Sequence, residues 1–446
     1  MRKTVLICLK IVVGMLLTML INGCGSKKET AVVSTTSPSA VYAHSVAFRN
    51  NTTVSWGANN TDQLGNNITT GATQPSPQPV VGGVLGTATL NGMTGVSAGG
   101  THTLAFIDGG NVYAWGNNGS DQLGNNNNKT ISAAPVLVIS DTTTTPVTFL
   151  TGIKAVSAGM SHSLARDSFN NVWAWGDNTY GQLGPTQTTT ASRPFAATVN
   201  ISALSPIPLS NITRIAAGLV HNLALTGSGT VLSWGYNGSG QLGYKTTDPT
   251  SPSPGLVTQQ AVNPVNVGST LSNVAEIAAG NSYSLFRLTD GTVWACGYNL
   301  YGQLGDATII DRKNGAVKVS GLPASIPVTQ IAAGLAHSLA LINGEVWAWG
   351  LNFNGQLGNG QPLLSAAANS IPATVMVNAP TPTPLSGVTK IIAIGNHNLA
   401  LKNDGTLWTW GENFSSQLGL GAGDTTDRNF AVQVTGSTNW DLYIQQ

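Results

Sequence analysis

Charge is what this sequence has least of. Only 8% of its 446 residues are Asp, Glu, Lys or Arg, against roughly a quarter in an average soluble chain. The hydrophobic share is an ordinary 41%, so a sizeable core can be buried, and disorder, which needs charge-rich and apolar-poor sequence, is excluded over most of the length. Arg2, Lys3 and Lys10 fall within the first 23 residues, and without them 16 basic side chains face 18 acidic ones, a net of −2. A chain so poor in lysine has no electrostatic footprint for nucleic acid. Cysteine is nearly missing too, with three in the whole chain. There is no phosphate-binding glycine loop with its Lys, no zinc-protease helix and no nucleophile elbow. In place of charge stand Asn, Thr, Ser and 53 glycines, a mixture that suits turns and short strands rather than long helices.

Residues 1–23 have the pattern of a secretion signal: Arg2 and Lys3, a mostly apolar stretch from Val5 to Ile21, then small residues. Lys10 interrupts the stretch and argues against a permanent transmembrane helix. Its end, Ile21-Asn22-Gly23-Cys24, resembles a bacterial lipobox. That resemblance implies cleavage before Cys24 and a thioether-linked diacylglycerol on its sulfur. Gly25 stands where an Asp would favour inner-membrane retention, so an outer-membrane address in the cell envelope is expected. Residues 24–40 become the lipidated Cys and a Ser/Thr-rich tether. Cys8 leaves with the signal and Cys24 is acylated, so Cys296 is the one thiol of the body and no disulfide can form within it.

A length of 446 residues alone suggests two or three domains, but a fixed repeat overrides that prior. One phrase recurs, written in its third copy as AVSAGMSHSLARDSFNNVWAWGDNTYGQLG. Seven copies close on Gly65, Gly124, Gly184, Gly243, Gly305, Gly358 and Gly419, at intervals of 59, 60, 59, 62, 53 and 61 residues. Each holds short runs of β-formers separated by Gly, Asn and Asp turns. Val172-Trp173-Ala174-Trp175 alternates large and small, which puts both indoles on one strand face. Asn170-Asn171, Asp290-Gly291 and Asp404-Gly405 stand where a tight hairpin needs positive φ. The expected fold is all-β: a seven-bladed propeller of four-stranded blades over 41–446. The first copy lacks its opening strand and starts near Tyr42-Ala43-His44-Ser45. The tail from Val434 to Ile444 has the form of the lead-in to that strand, so pairing of the two should close the ring without an open edge.

The Ala-Gly-x-x-His-x-Leu and Trp-x-Trp-Gly…Gln-Leu-Gly phrases resemble the repeat of the regulator of chromosome condensation family, over nearly all of 41–446. The resemblance implies the propeller fold. It does not imply one activity, because members of that family range over nucleotide exchange on a small GTPase, ultraviolet-B sensing and β-lactamase inhibition. The Gly-Trp-Arg-His-Thr motifs of the photoreceptor are missing here, and a nuclear GTPase is no partner for an exported lipoprotein.

His44, His102, His162, His221, His337 and His397 all occupy one repeat position, taken by Tyr283 in the remaining copy. A feature present in every blade serves the blade, and sevenfold geometry keeps the rings too far apart for a zinc site, whose ligands sit at about 2.1 Å. Each is expected to bond backbone beside a turn. Trp56, Trp115, Trp175, Trp234, Trp349 and Trp410, with Trp173, Trp294, Trp347 and Trp408 two residues earlier, are expected to pack between blades. Cys296 fills one Trp slot and is expected to be a buried, inert thiol. The Asp-containing turns, such as Gly176 to Gly181, are turn chemistry rather than calcium loops.

Positions that vary inside the fixed frame are the candidate binding face. Tyr180, Tyr236, Tyr298, Tyr301, Phe353 and Phe414 precede Gln-Leu-Gly, and Met160, Leu219 and Leu335 follow Ala-Gly. Equivalent loops should emerge on one face, where exposed aromatics suit protein hot spots or sugar stacking. The long segments 66–95, 125–152, 185–211, 244–273 and 359–388 should hold outer strands and secondary specificity loops. The sequence therefore points to a monomeric, lipid-anchored scaffold that binds a protein, with no catalytic residue, cofactor or metal. The alternatives are glycan adhesion and an enzyme acting on envelope polymers, the last requiring two acids to converge in the axial funnel.

Overall fold

The computed structural model describes residues 43–445 except 87, 142, 144–145, 186–189, 203–204, 245–248, 258–268, 364, 379 and 437. The signal, Cys24 and the tether lie outside the described residues. The alternating runs of each repeat form one antiparallel sheet. In blade 3, Ile153–Ala158, His162–Asp167, Val172–Gly176 and Arg193–Thr198 pair in chain order from the axis outward. The hairpins take the positive φ their turn residues promised, 63° at Asn170, 80° at Gly291 and 77° at Gly405. Blades 2, 4, 5, 6 and 7 span 95–137, 212–256, 274–318, 330–374 and 388–433. Outer strands come from the long inter-copy segments as expected, which also carry small ribbons such as Ile139–Asp141 with Thr148–Phe149.

Blade 1 is shared. His44–Arg49, Thr52–Gly57 and Gln74–Pro79 are joined on the inner side by Trp440–Asp441, which pair with Arg49 and Phe48. Closure is therefore made as expected, but only over these two residues. Beyond Asp441 the chain leaves the blade for the axis, drawn by packing described below. Trp440 is 5% exposed, stacks edge-on against Trp56 at 6.0 Å and lies under the Arg49 guanidinium at 5.1 Å.

The core is not central. It consists of seven clusters, each at a seam between neighbouring blades. At the seam of blades 2 and 3, Leu104, Phe106 and Val138 meet Val156, Ala165 and Trp175, with Trp173 packed beside Trp175 on the same face. At the closing seam, Leu399, Leu401 and Leu407 meet Ala47, Val54 and Trp56.

Each seam is also stitched by polar side chains. His102 Nε2 bonds Ser163 Oγ in the next blade at 2.9 Å, and that hydroxyl donates to the Gln122 carbonyl at 2.9 Å. The Trp175 Nε1 donates to the same carbonyl at 2.9 Å. His44 reaches Thr103, His162 reaches Asn222, His221 reaches Ser284 and His337 reaches Asn398. His397 closes the belt on Ser45 at 2.7 Å. The histidines are scaffold, but their partner is a side chain of the next blade rather than backbone beside a turn. Each Ser or Thr partner spends its one proton on a Gln carbonyl, and each Asn partner gives that carbonyl an Nδ2 hydrogen and offers Oδ1 to the ring, so every ring must carry a hydrogen on Nε2. Tyr283 substitutes by donating to the His337 carbonyl, and its oxygen lies 3.1 Å from Ser338 Oγ, whose proton goes to the Gln303 carbonyl at 2.8 Å. Cys296 is fully buried, and its thiol contacts the Gln241 carbonyl at 3.5 Å where other blades offer an indole.

Two predictions follow from closure and belt. Trp440→Ala removes the closing ring from a buried site and should cost about 3–5 kcal/mol, read as a lower urea midpoint. Burial pushes His44 and His337 down to about 4, His102, His221 and His397 to about 3, and lowers His162 as well. Folded values below the unfolded one of about 6.5 mean that this stability is complete above pH 6.5 and is lost as pH falls toward 4. Unfolding should take up a number of protons approaching the six histidines in that window, and a urea midpoint that stays flat from pH 7 to 5 would refute the neutral belt.

Candidate functional site

The loop after each Trp-Gly pair is built by its own side chains. In blade 3, Asn178 Oδ1 accepts from Leu183 N at 2.9 Å and Gln182 Oε1 accepts from Tyr180 N at 2.8 Å. The same two caps recur in blade 1 with Asn59 and Gln63, and in blade 7 with Asn413 and Gln417. Side chains here replace strand partners, fixing the loop while the residues between the caps stay variable. The Asp turns follow the same chemistry: Asp177 Oδ1 accepts from the Thr179 hydroxyl at 2.7 Å. The Asn and Gln roles went unnoticed in the sequence. Their signal was available, because an Asn stands two residues after the glycine that follows the Trp slot in all seven copies, Cys296-Gly297 included.

Gly176 pairs with His162, and Gly235 with His221. The loops that follow the glycines and the Ala-Gly turns that precede the histidines therefore share one face. Tyr180 and Tyr236 meet across blades 3 and 4 with ring centroids 5.0 Å apart at 62°. Tyr298 and Tyr301 pair within the blade 5 loop at 6.2 Å, flanking Leu300, which is 49% exposed and was not anticipated. Phe353 is half-buried on blade 6, and Phe414 on blade 7 is 64% exposed. The aromatics form an arc over blades 3 to 7, because the blade 1 and 2 loops carry Asn60-Thr61 and Gly119-Ser120 instead. Met160, Leu219 and Leu335 belong to the inner rim. Met160 N donates to the Leu219 carbonyl, Leu219 N to Gly280 and Leu335 N to Gly395, tying neighbouring blades together.

Inside that rim lies an axial cavity of about 260 Å³. It is lined by Val46, by inner-strand residues of the other blades and by Tyr443, Ile444 and Gln445 of the tail. Gly95 leaves a gap in blade 2 that the Tyr443 ring fills, lying edge-on to Phe106 at 5.6 Å. The Gln445 carboxamide then clamps blade 4, donating to the Ile215 carbonyl at 2.9 Å and accepting from Ile215 N at 3.1 Å. Gln330 makes the same two-bond clamp on Ile391 between blades 6 and 7. These contacts divert the tail from blade 1, and it enters from the end opposite the aromatic face. Among the described residues one acid lines the cavity, Glu276, and it is engaged by Arg287 Nε at 2.8 Å and by Ile331 N at 3.2 Å. Burial pushes its carboxyl upward. The described lining thus holds one acid, where the polymer-degrading reading required two.

Residues 23–372 match the RCC1-like domain, and residues 395–417 match the Regulator of chromosome condensation (RCC1) repeat. The Ultraviolet-B receptor UVR8 of Arabidopsis thaliana is 30% identical over 411 residues, which is 90% of this chain and 82% of the receptor. The probable E3 ubiquitin-protein ligase HERC6 of Homo sapiens is 33% identical over 268 residues, but that likeness spans 57% of this chain and only 23% of the ligase. Among solved structures, Prp20p of Saccharomyces cerevisiae aligns with a TM-score of 0.69 over 89% of this chain and 88% of that one, at 21% identity. Human WBSCR16 aligns with a TM-score of 0.66 over 86% and 93%, at 23% identity. The structural likenesses speak to fold alone. With the domain matched over most of its length and its seven blades in the expected order, the chain belongs to the RCC1-like family.

Proposed function

We propose that this chain is a lipid-anchored binding scaffold of the bacterial cell envelope, taking up a protein partner on its aromatic face. The observation that carries the reading is the arc of partly exposed aromatics that runs from the Tyr180–Tyr236 pair to Phe414. Aromatics held by rigid loops lose little entropy on binding and are the residues hot spots favour. The family precedent points the same way. Prp20p carries this fold, and its structure was described together with its binding to Gsp1p and histones. The envelope address rests on the lipobox-like run ending in Cys24, with residues 25–40 as its tether. With so few charges, recognition would depend on apolar and ring contacts more than on long-range steering. A glycan platform would use the same rings, so a glycan array tested beside the protein experiment separates the two.

Tyr236→Ala and Phe414→Ala should leave the unfolding midpoint near wild type. Each should weaken the partner captured from envelope extract by about tenfold or more, measured by titration on immobilised protein. An unchanged bound set in both variants would defeat the reading. Cys24→Ser should move the protein from the membrane to the soluble fraction and abolish incorporation of labelled palmitate; retention in membranes would refute the anchor.

A further inference from the structure

Arg193, Arg312 and Arg428 hold one register in three blades. Each opens the outer strand opposite the glycine that ends the third strand, Gly176, Gly297 or Gly411. In blade 5, Arg312 Nε donates to Asp306 Oδ2 at 2.7 Å, and Asn299 Nδ2 donates to the other carboxylate oxygen at 3.1 Å. Blade 7 builds the same unit, with Arg428 on Asp424 Oδ2 and Asn413 Nδ2 on Asp424 Oδ1 at 3.2 Å. The repeat itself shows what this guanidinium is placed to hold: a carboxylate.

Blade 3 keeps the arginine and drops the acid. The residues from Pro185 to Ser192 include no Asp or Glu. Among the described residues the Arg193 side chain makes no hydrogen bond or ion pair, although the residue is 6% exposed and its Nη1 is buried without a partner. Its paired counterparts are less buried, with side chains 20% and 27% exposed. Asp121, which reaches this strand from the blade 2 loop, is already engaged by the Ser192 hydroxyl and by Lys129 at 3.8 Å. Burial pushes the Arg193 pKa down to about 10, with no neighbouring charge opposing it. A buried cation without a counter-charge is costly, and the guanidinium fork matches a carboxylate in two-point contact.

We infer that Arg193 is the seat for a carboxylate supplied from outside the chain, on the aromatic face at the seam of blades 2 and 3. The seat is independent of the protein-binding reading, since a small free carboxylate would fill it as well as an Asp or Glu side chain of a partner.

The test is thermal unfolding at fixed pH and ionic strength, with sodium acetate exchanged for sodium chloride. Acetate should raise the wild-type midpoint saturably, by on the order of one to a few degrees, and leave Arg193→Met unmoved. In chloride, Arg193→Met should unfold at or above the wild-type temperature, because it removes an uncompensated charge. Arg312→Met should unfold lower, because it strands Asp306. A capped glutamate-bearing peptide run beside acetate distinguishes the sources: a shift with both assigns the seat to a protein side chain, and a shift with acetate alone assigns it to a free carboxylate. Equal acetate shifts in wild type and Arg193→Met would overturn the proposal, as would a loss in Arg193→Met matching that in Arg312→Met. The acetate comparison stays decisive even if the substitution alters basal stability.

Discussion

Every seam of the ring turns on one carbonyl oxygen. The Gln122 carbonyl takes two donors from the following blade, the Trp175 indole and the Ser163 hydroxyl. Because the hydroxyl donates to that carbonyl, it can only accept from His102, which puts a hydrogen on Nε2, and burial keeps the ring neutral. Because the indole must reach the carbonyl, the glycine closing the loop cannot carry a side chain: a Cβ on Gly124 would lie 2.7 Å from the Trp175 ring. Its φ of 62° adds a second reason for glycine. One acceptor thus explains the Trp, the His and the last glycine of the repeat together. It also fits the scarcity of charge, since this node is satisfied by neutral donors and acceptors and needs no buried ion.

The same dependence shows what a departure costs. Blade 5 departs twice, and the departures fall on different seams. Tyr283 faces blade 6, where its longer phenol reaches past the hydroxyl position to the His337 carbonyl, leaving Ser338 to serve the Gln303 carbonyl. Cys296 faces blade 4, where the smaller sulfur keeps the core contact with Val257 and Leu271 but loses most of the donor strength. The ring tolerates both because the belt bond from His221 to Ser284 remains in place at the weakened seam. Redundancy at each seam, in apolar contact, indole and histidine, lets single copies vary without opening the circle.

Fold was legible because it is written seven times. Strand periodicity, turn residues and the missing first strand are local features, and together they gave the blade count and the place of closure. What stayed hidden were contacts that cross about 60 residues of sequence. The bond from His44 to Thr103 joins two ordinary-looking positions and has no local signature. The tail shows the same limit. Its lead-in form announced pairing with blade 1, which Trp440 and Asp441 honour. Its departure depends on a gap at Gly95 and on the backbone of Ile215, which only the assembled ring brings within reach. The aromatic positions could be placed on one face from the register alone, but their pairing across blades 3 and 4 needed the radius of the ring.

In a repeat protein the scaffold supplies its own control for every position, and that control sharpens where function should be sought. A side chain repeated with its partner is structure: Arg312 with Asp306 and Arg428 with Asp424 qualify. A side chain whose partner is supplied from elsewhere in the chain is also structure: the Tyr443 ring over Gly95 and the Gln445 clamp on Ile215 qualify. What remains is a side chain that the repeat equips for a partner and that lacks one among the described residues. Arg193 meets that description, and it lies beneath the loops that carry the variable aromatics. Variable rings and an unmatched cation on one face of an otherwise closed and neutral ring are where a ligand would gain most by arriving, because the scaffold has already satisfied its own seams.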